Sequence, residues 1–250
     1  VGERMVQVAM DTSTERLSVA VATEDGEVIA ETTFAAARAH ATCLHPVLEQ
    51  LLRAVGRSAS DVSGIAVGLG PGSYTGVRIA VSAAKAFAFA RRIPVVGVSS
   101  LEAAARQTKR RTGVVAVAFD ARRNAAYTGV YQAGMDWQPL KLETRAEYRE
   151  TAAWMRAHLL AEGELTVVGD GAHALARELA TLDIPCIEEG RAISIVYARD
   201  VLGAARAALL DARDWSEQEV IKRAHELVPR YLQLAQAEAA THPFGGVGHG

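Results

Sequence analysis

Cysteine is scarce in this chain: Cys43 and Cys186 are its two, and they stand far apart, outside any C-x-x-C pair. That excludes a disulfide framework and a cysteine-built zinc site, and it predicts a reducing compartment, the cytoplasm. No run approaches the eighteen uncharged apolar residues of a membrane span. The longest apolar-leaning stretch, 79–90, contains Lys85 and suits a buried helix. Asp11 interrupts the opening VGERMVQVAMDTST too early for a secretory signal. Neither sign of charge dominates, since 27 Lys+Arg against 29 Asp+Glu leave a net of -2. A uniformly basic nucleic-acid surface is thereby excluded. Small basic clusters remain at Arg91-Arg92, Lys109-Arg110-Arg111 and Arg122-Arg123, which serve either as solvated surface or as a modest patch touching RNA. Catalytic signatures are missing as well. No Gly-Lys-Ser/Thr ending completes a Walker loop, and no G-x-S-x-G elbow frames Ser13 or Ser73. His40 and His45 are five apart, so they do not share a helix face, and the remaining histidines are scattered. The expectation is no catalytic residue and no metal.

Apolar residues, by contrast, are plentiful: 50% of the chain is hydrophobic and 22% charged, enough to fill one large domain or two small ones. Apolar runs over 5–10, 17–22 and 28–33 are separated by the turns Asp11-Thr12-Ser13-Thr14 and Glu24-Asp25-Gly26-Glu27, and they predict three antiparallel strands. No glycine-rich turn follows the first of them, which excludes a Rossmann opening. Leu44, Val47, Leu48, Leu51, Leu52 and Val55 recur at helical spacing. Gly56 is placed to end that helix, and Pro46 demands either an early position or a bend. A strand over 65–67, a long helix starting at Ser73 or Thr75 and running to Arg91, and a strand over 93–98 follow. Ser99 and Glu102 then have capping-box spacing before another helix. The second half repeats the order. Strands are predicted over 114–119, ending at Asp120, over 125–131 and, as a possible third, over 140–142. A helix over 148–160, a strand over 165–168, a helix through Leu179, a short strand at 186–187 and a helix over 196–210 complete it. Two related α/β domains facing a cleft are expected, 1–108 and 109–240, with the last helices free to pack back on the first domain and a flexible tail over 241–250. The rival is a single doubly wound domain with a long insertion.

Two turns have the chemistry to meet a ligand. Asp11, Thr12 and Ser13 after the first strand either face a phosphate or cap their own backbone as an Asx turn. Asp120 occupies the corresponding place in the second half. The segment 68–78 holds four glycines, a proline and two hydroxyls ahead of an apolar helix. Its free N–H groups either hold an anion or let helix and sheet approach closely. The helix after Ala41 has apolar residues at Leu44-Leu48-Leu52 and at Val47-Leu51-Val55, and the helix from Thr75 is lined with Gly76, Ala80, Ala83, Ala84, Ala86 and Ala88. Both faces suit either the core or a partner helix.

The segments VAMDTSTERLSVAV, HATCLHPVLEQLL, IAVGLGPGSYTGVRIAVSAAKAFA, IPVVGVSSLEA, DARRNAAY and VPRYLQ resemble the TsaB (YeaZ) family. The likeness is densest over 6–105, most distinctive over 70–78 and thin over 135–195. It implies an α/β fold of two tandem actin-like (ASKHA, ribonuclease H-like) domains, with mixed sheets flanked by helices. It implies a non-catalytic subunit that supports a TsaD-like transferase, together with a TsaE-like ATPase, in forming N6-threonylcarbamoyladenosine in tRNAs that read ANN codons. A homodimer is the alternative when the protein is alone, and contact with tRNA is indirect or weak. No cofactor is firmly expected, with ATP or ADP entering only within the complex. By the same resemblance the partner surface comprises His40, Leu44, Val47, Leu48, Leu51, Leu52 and Val55 on the first helix and Tyr74, Arg78, Ala80, Ala83 and Ala84 on the second. Asp11, Thr12, Ser13, Gly70, Gly72, Ser73 and Asp120 are the expected remnant of a phosphate site. Asp120-Ala121-Arg122 matches the family's DAR segment, and Arg123-Asn124 departs from its commoner Met-Gly. Two other classes compete: a nucleotide-binding actin-like ATPase or kinase built on Asp11, the 70–73 loop and Asp120, and a homodimeric structural module. A glycoprotease-like hydrolase is disfavoured by the missing ligand cluster.

Overall fold

The computed structural model describes residues 5–36, 39–108, 112–134, 137–159, 164–189 and 195–232. In its first half, strands β1 (Val6–Asp11), β2 (Arg16–Thr23), β3 (Val28–Ala35), β4 (Val62–Gly68) and β5 (Val95–Val98) alternate with helices α1 (His40–Ala54), α2 (Tyr74–Arg91) and α3 (Ser100–Ala105). In its second half, β6 (Val114–Asp120), β7 (Ala125–Gln132), β8 (Gln138–Glu147), β9 (Leu165–Val168) and β10 (Ile187–Glu188) accompany α4 (Tyr148–His158) and α5 (Ala172–Ala180). Two further helices close the described chain, α6 (Ala198–Asp211) and α7 (Glu217–Glu226).

The strands form two five-stranded sheets, ordered β3-β2-β1-β4-β5 and β10-β9-β6-β7-β8. Read from its far edge, the second repeats the first. In each, the opening strand pairs antiparallel with the second, the second antiparallel with the third, and the opening strand parallel with the fourth. This doubled plan, with helices on the sheet faces, is the tandem actin-like fold. All six residues of β1 are buried, as a central strand covered on both faces requires.

Residue size alternates along the central strands. Val8, Met10, Leu17, Val19, Ile65 and Val67 point to the side of α1 and α2, whereas Ala9, Ala20, Ala22 and Ala66 point to the other face. The small side chains let α6 lie close over β1, β2, β4 and β5. The first lobe is therefore built from the N-terminal half together with α6. Val115, Val117 and Phe119 of β6 face that same inner core, while Ala116 and Ala118 face α4 and α5.

Three elements differ from the sequence expectation. Helix α7 was not foreseen: only Val220 and Ala224 of it are buried, so its apolar stripe is too thin to read. Ser216 caps it, its Oγ accepting from Glu219 N at 3.2 Å. Strand β8 runs ten residues rather than three. It is an edge strand, which tolerates its charges and Pro139, and two register shifts interrupt its pairing with β7. The capping box at α3 is half present: Ser99 Oγ accepts from Leu101 N and Glu102 N, but Glu102 pairs with Arg106 at 2.7 Å instead of reaching back. Pro46 lies in the second turn of α1, on its exposed side, and supplies no N–H to the Thr42 carbonyl. The Lys109-Arg110-Arg111 cluster and the tail over 241–250 lie outside the described residues.

Candidate functional site

Asp11, Thr12 and Ser13 leave β1 in a turn that is almost wholly buried. Asp11 Oδ1 accepts from Ser13 N at 2.7 Å and Ser13 Oγ at 2.6 Å, and its Oδ2 accepts from Ser100 Oγ at 2.7 Å. Ser100 Oγ in turn accepts from Gly70 N at 3.1 Å. Burial raises the Asp11 pKa, and the hydrogen bonds from Ser13 and Ser100 oppose that rise. Thr12 Oγ1 donates to Gly76 O at 2.6 Å, and Ser73 N donates to Ser13 O at 2.7 Å. The 70–76 loop, whose Gly70-Pro71 peptide is cis, is thus sewn to the first turn. Glycine is needed at two of its positions, because a Cβ on Gly72 would strike Ser13 O and one on Gly76 would strike Thr12 O. Ser73 ends the loop by capping α2, its Oγ accepting from Gly76 N at 3.2 Å.

Beyond this turn a cleft of about 660 Å³ separates the lobes, with Ser13, Gly72 and Ser73 on one side and Phe119, Asp120, Arg122 and Asp170 on the other. Of the expected phosphate remnant, the structure therefore brings Ser13, Gly72, Ser73 and Asp120 to the cleft. Asp11 and Thr12 are turned into the core instead, because their polar atoms bind the loop, and Gly70 binds Ser100. Asp170 was not foreseen. Its signal was the Gly169-Asp170-Gly171 turn after β9, which puts a carboxylate beside Asp120 only once the sheet is paired. Asp120 N donates to Asp170 Oδ1 at 2.8 Å, and Tyr148 Oη reaches Asp120 Oδ1 at 3.5 Å. Burial and the Asp120 charge raise the Asp170 pKa against its backbone hydrogen bonds. Burial and the two carboxylates push Tyr148 up to about 12. The β6–β7 turn carries three successive residues in the left-handed region, Arg122, Arg123 and Asn124, with φ of 61, 54 and 57. Arg122 N donates to Asp120 Oδ1 at 2.9 Å and Ala121 N to Ala125 O at 2.9 Å, holding a conformation that costs about 1–2 kcal/mol per ordinary residue. Asn124 tolerates that conformation best of the three.

The cleft lining carries both signs of charge, with Arg16 on the side of the first turn. The first-turn N–H and hydroxyl of Ser13 are spent on Asp11. The facing wall presents Asp120, Asp170 and Arg122, and burial raises the Asp170 pKa. The Asp120 N–H is given to Asp170. Among the described residues no group of three metal-ligating side chains converges.

The two helices expected to meet a partner are placed differently from their sequence reading. Leu44, Leu48 and Leu52 of α1 are buried in the core against this chain's own sheet, and His40 is buried with them. Ala80, Ala83 and Ala84 of α2 are buried as well. The reason is amphipathic packing: both stripes are turned to the β side, and of these seven only Leu48 and Leu52 line a surface groove. Val47, Leu51 and Val55 are half-buried, and Tyr74 and Arg78 are exposed. What α2 presents to solvent is a narrow stripe of Thr75, Arg78, Ser82, Ala86 and Phe89. On α1 the exposed residues are Ala41, Thr42, His45, Pro46, Glu49, Gln50, Arg53 and Ala54, and Glu49 pairs with Arg53 at 2.6 Å. A groove of about 530 Å³ runs along the end of α1, lined by His45, Leu48, Glu49 and Leu52, with Phe87 of α2 at its side. At the start of α2, Tyr74 stacks on Tyr231 at 4.8 Å, and Arg78 lies over the Tyr74 ring while donating to its Oη at 3.0 Å.

Comparison with known proteins agrees with this architecture. The family model of TsaD, tRNA N6-adenosine threonylcarbamoyltransferase, matches residues 27–140. The tRNA threonylcarbamoyladenosine biosynthesis protein TsaB of Escherichia coli (strain K12) is 35% identical over 166 residues, 66% of this chain and 71% of that protein. The chain belongs to the TsaB family. The TsaB of Bacillus subtilis (strain 168) is 42% identical over 128 residues, 51% of this chain, and the match spans 56% of that protein's length. The solved structure of YeaZ from Pseudomonas aeruginosa superposes with a TM-score of 0.73 at 28% identity, covering 91% of this chain and all of that one. TsaB likeness thus extends over both lobes, whereas the TsaD model reaches only from β3 to the start of β8. That stretch contains α1, α2 and the 70–76 loop, the segments that shape the surface described above. No described helix is long and apolar enough to cross a membrane.

Proposed function

We propose that this protein is the non-catalytic subunit of a cytoplasmic complex that forms threonylcarbamoyladenosine in tRNA. It seats a TsaD-type transferase against the exposed stripes of α1 and α2, and a TsaE-type ATPase joins the assembly. Membership of the TsaB family supports this, since the E. coli and B. subtilis relatives are named for that biosynthesis. The observation that carries it is the Asp11 turn. Three hydrogen bonds from Ser13 and Ser100 occupy its carboxylate, which is buried behind Ser13 and does not itself line the cleft. A site whose first carboxylate is spent on folding its own loop has a scaffold to hold and little chemistry to perform. Any ATP or ADP requirement belongs to the assembled complex, and tRNA is met through the transferase. A homodimer would use the same narrow stripes.

The reading is tested by mixing the purified chain with TsaD-type and TsaE-type proteins and assaying tRNA modification. Modification that depends on this chain, with steady ATP turnover absent from the chain alone, is expected. Full modification without it, or ATP turnover by the chain alone, would overturn the reading.

A further inference from the structure

The segment after α7 touches both lobes. Lys85 Nζ on α2 donates to the carbonyls of His225 at 3.0 Å and Leu227 at 2.8 Å, which ends α7 and fixes where the chain leaves it. Arg230 N then donates to Leu69 O at 2.8 Å, in the loop after β4 of the first lobe. The Arg230 side chain goes the other way. Its Nη1 lies 2.7 Å from Glu143 Oε2, on β8 of the second lobe. The Glu143 side chain is only 8% exposed, and its other oxygen accepts from Tyr131 Oη at 2.6 Å. Tyr131 is itself buried in the core that the two sheets share. One residue further on, the Tyr231 ring stacks on Tyr74, the first residue of α2.

We infer that residues 227–232 are a strap that fixes the angle between the lobes and couples that angle to the first turn of α2. Geometry supports the first part. Arg230 is held by its backbone to one lobe and by its guanidinium to the other, and a charge-assisted hydrogen bond is lost when its atoms separate by about 1 Å. Opening would also leave Glu143 nearly buried without its cation, which is costlier than losing an exposed pair. The second part follows from sequence adjacency, since Arg230 and Tyr231 are consecutive and move together. The link to a partner rests on the function proposed above: if the exposed face of α2 receives the transferase, docking and lobe closure favour one another reciprocally.

The strap is tested with spin labels at Gln50→Cys on α1 and Arg177→Cys on α5, in a Cys43→Ser/Cys186→Ser background of the full chain, read by electron-electron distance measurement. A single narrow distribution is expected for that chain. Arg230→Ala and Glu143→Gln should each add a longer-distance population, and Arg230→Lys should restore part of the narrow one. Distributions identical across the four would overturn the strap and leave the shared core as the restraint. Glu143→Gln, nearly isosteric, serves if Arg230→Ala fails to fold. Hydrogen exchange at the amides of Gly76 and Val77 reads the coupling, with a rise of about threefold or more expected in Arg230→Ala. Unchanged exchange in a chain whose lobes have loosened would refute the coupling. If the unaltered chain binds no TsaD-type protein, the proposed function fails while these intramolecular results stand.

Discussion

Asp200 sits in the first turn of α6 with one carboxylate oxygen, Oδ2, buried and without a hydrogen-bond partner, 4.0 Å from Arg199 Nε. Burial pushes its pKa up to about 6 from the ordinary 3.8, against the pull of Arg199. Between those two values the folded chain holds more protons than the unfolded one, so stability falls as pH rises from about 4 to about 6 and stays lower above that. The displacement corresponds to about 2–3 kcal/mol, and the loss of a favourable helix N-terminal charge takes back about 0.3–1. Asp200→Asn is therefore expected to gain about 1–2 kcal/mol at neutral pH and to flatten the slope, as read by urea denaturation across pH. Ser100 works in the opposite sense. It donates to Asp11 and accepts from Gly70 N, so Ser100→Ala orphans two buried groups. A loss of about 1–3 kcal/mol is expected in the same titration.

Helices α1 and α2 separate two roles that their apolar patterns confound. Leu48 is 4% exposed, so Leu48→Asp should unfold the chain rather than detach a partner. Ala86 lies on the exposed stripe, so Ala86→Arg should leave stability within about 0.5 kcal/mol and weaken binding of a TsaD-type protein by about tenfold or more, measured by calorimetry. Periodicity made both helices legible, since their apolar residues recur at the helical interval. It did not tell the core from a partner face, because Leu44-Leu48-Leu52 would look the same against a sheet or against another protein. Helix α7 escaped for the opposite reason: Glu217–Glu226 buries two side chains, and the Ser216 cap, Lys85 and the Arg92–Glu217 ion pair hold it besides. Strand β8 was under-read because an exposed edge needs no continuous apolar run.

At the scale of the molecule, the duplicated plan was visible because an apolar strand ending in aspartate opens each half. The contents of the cleft were not. Asp170 reaches Asp120 across fifty positions, and Glu143 reaches Arg230 across eighty-seven, pairings that only the folded sheets create. The inward turn of Asp11 was equally hidden, since the same Asp-Thr-Ser sequence can face a ligand or its own loop. Sedimentation velocity of this chain mixed with a TsaD-type transferase tests the central claim most directly. One faster boundary containing both proteins is expected, lost with Ala86→Arg. Two boundaries sedimenting as the separate proteins would contradict a scaffold role.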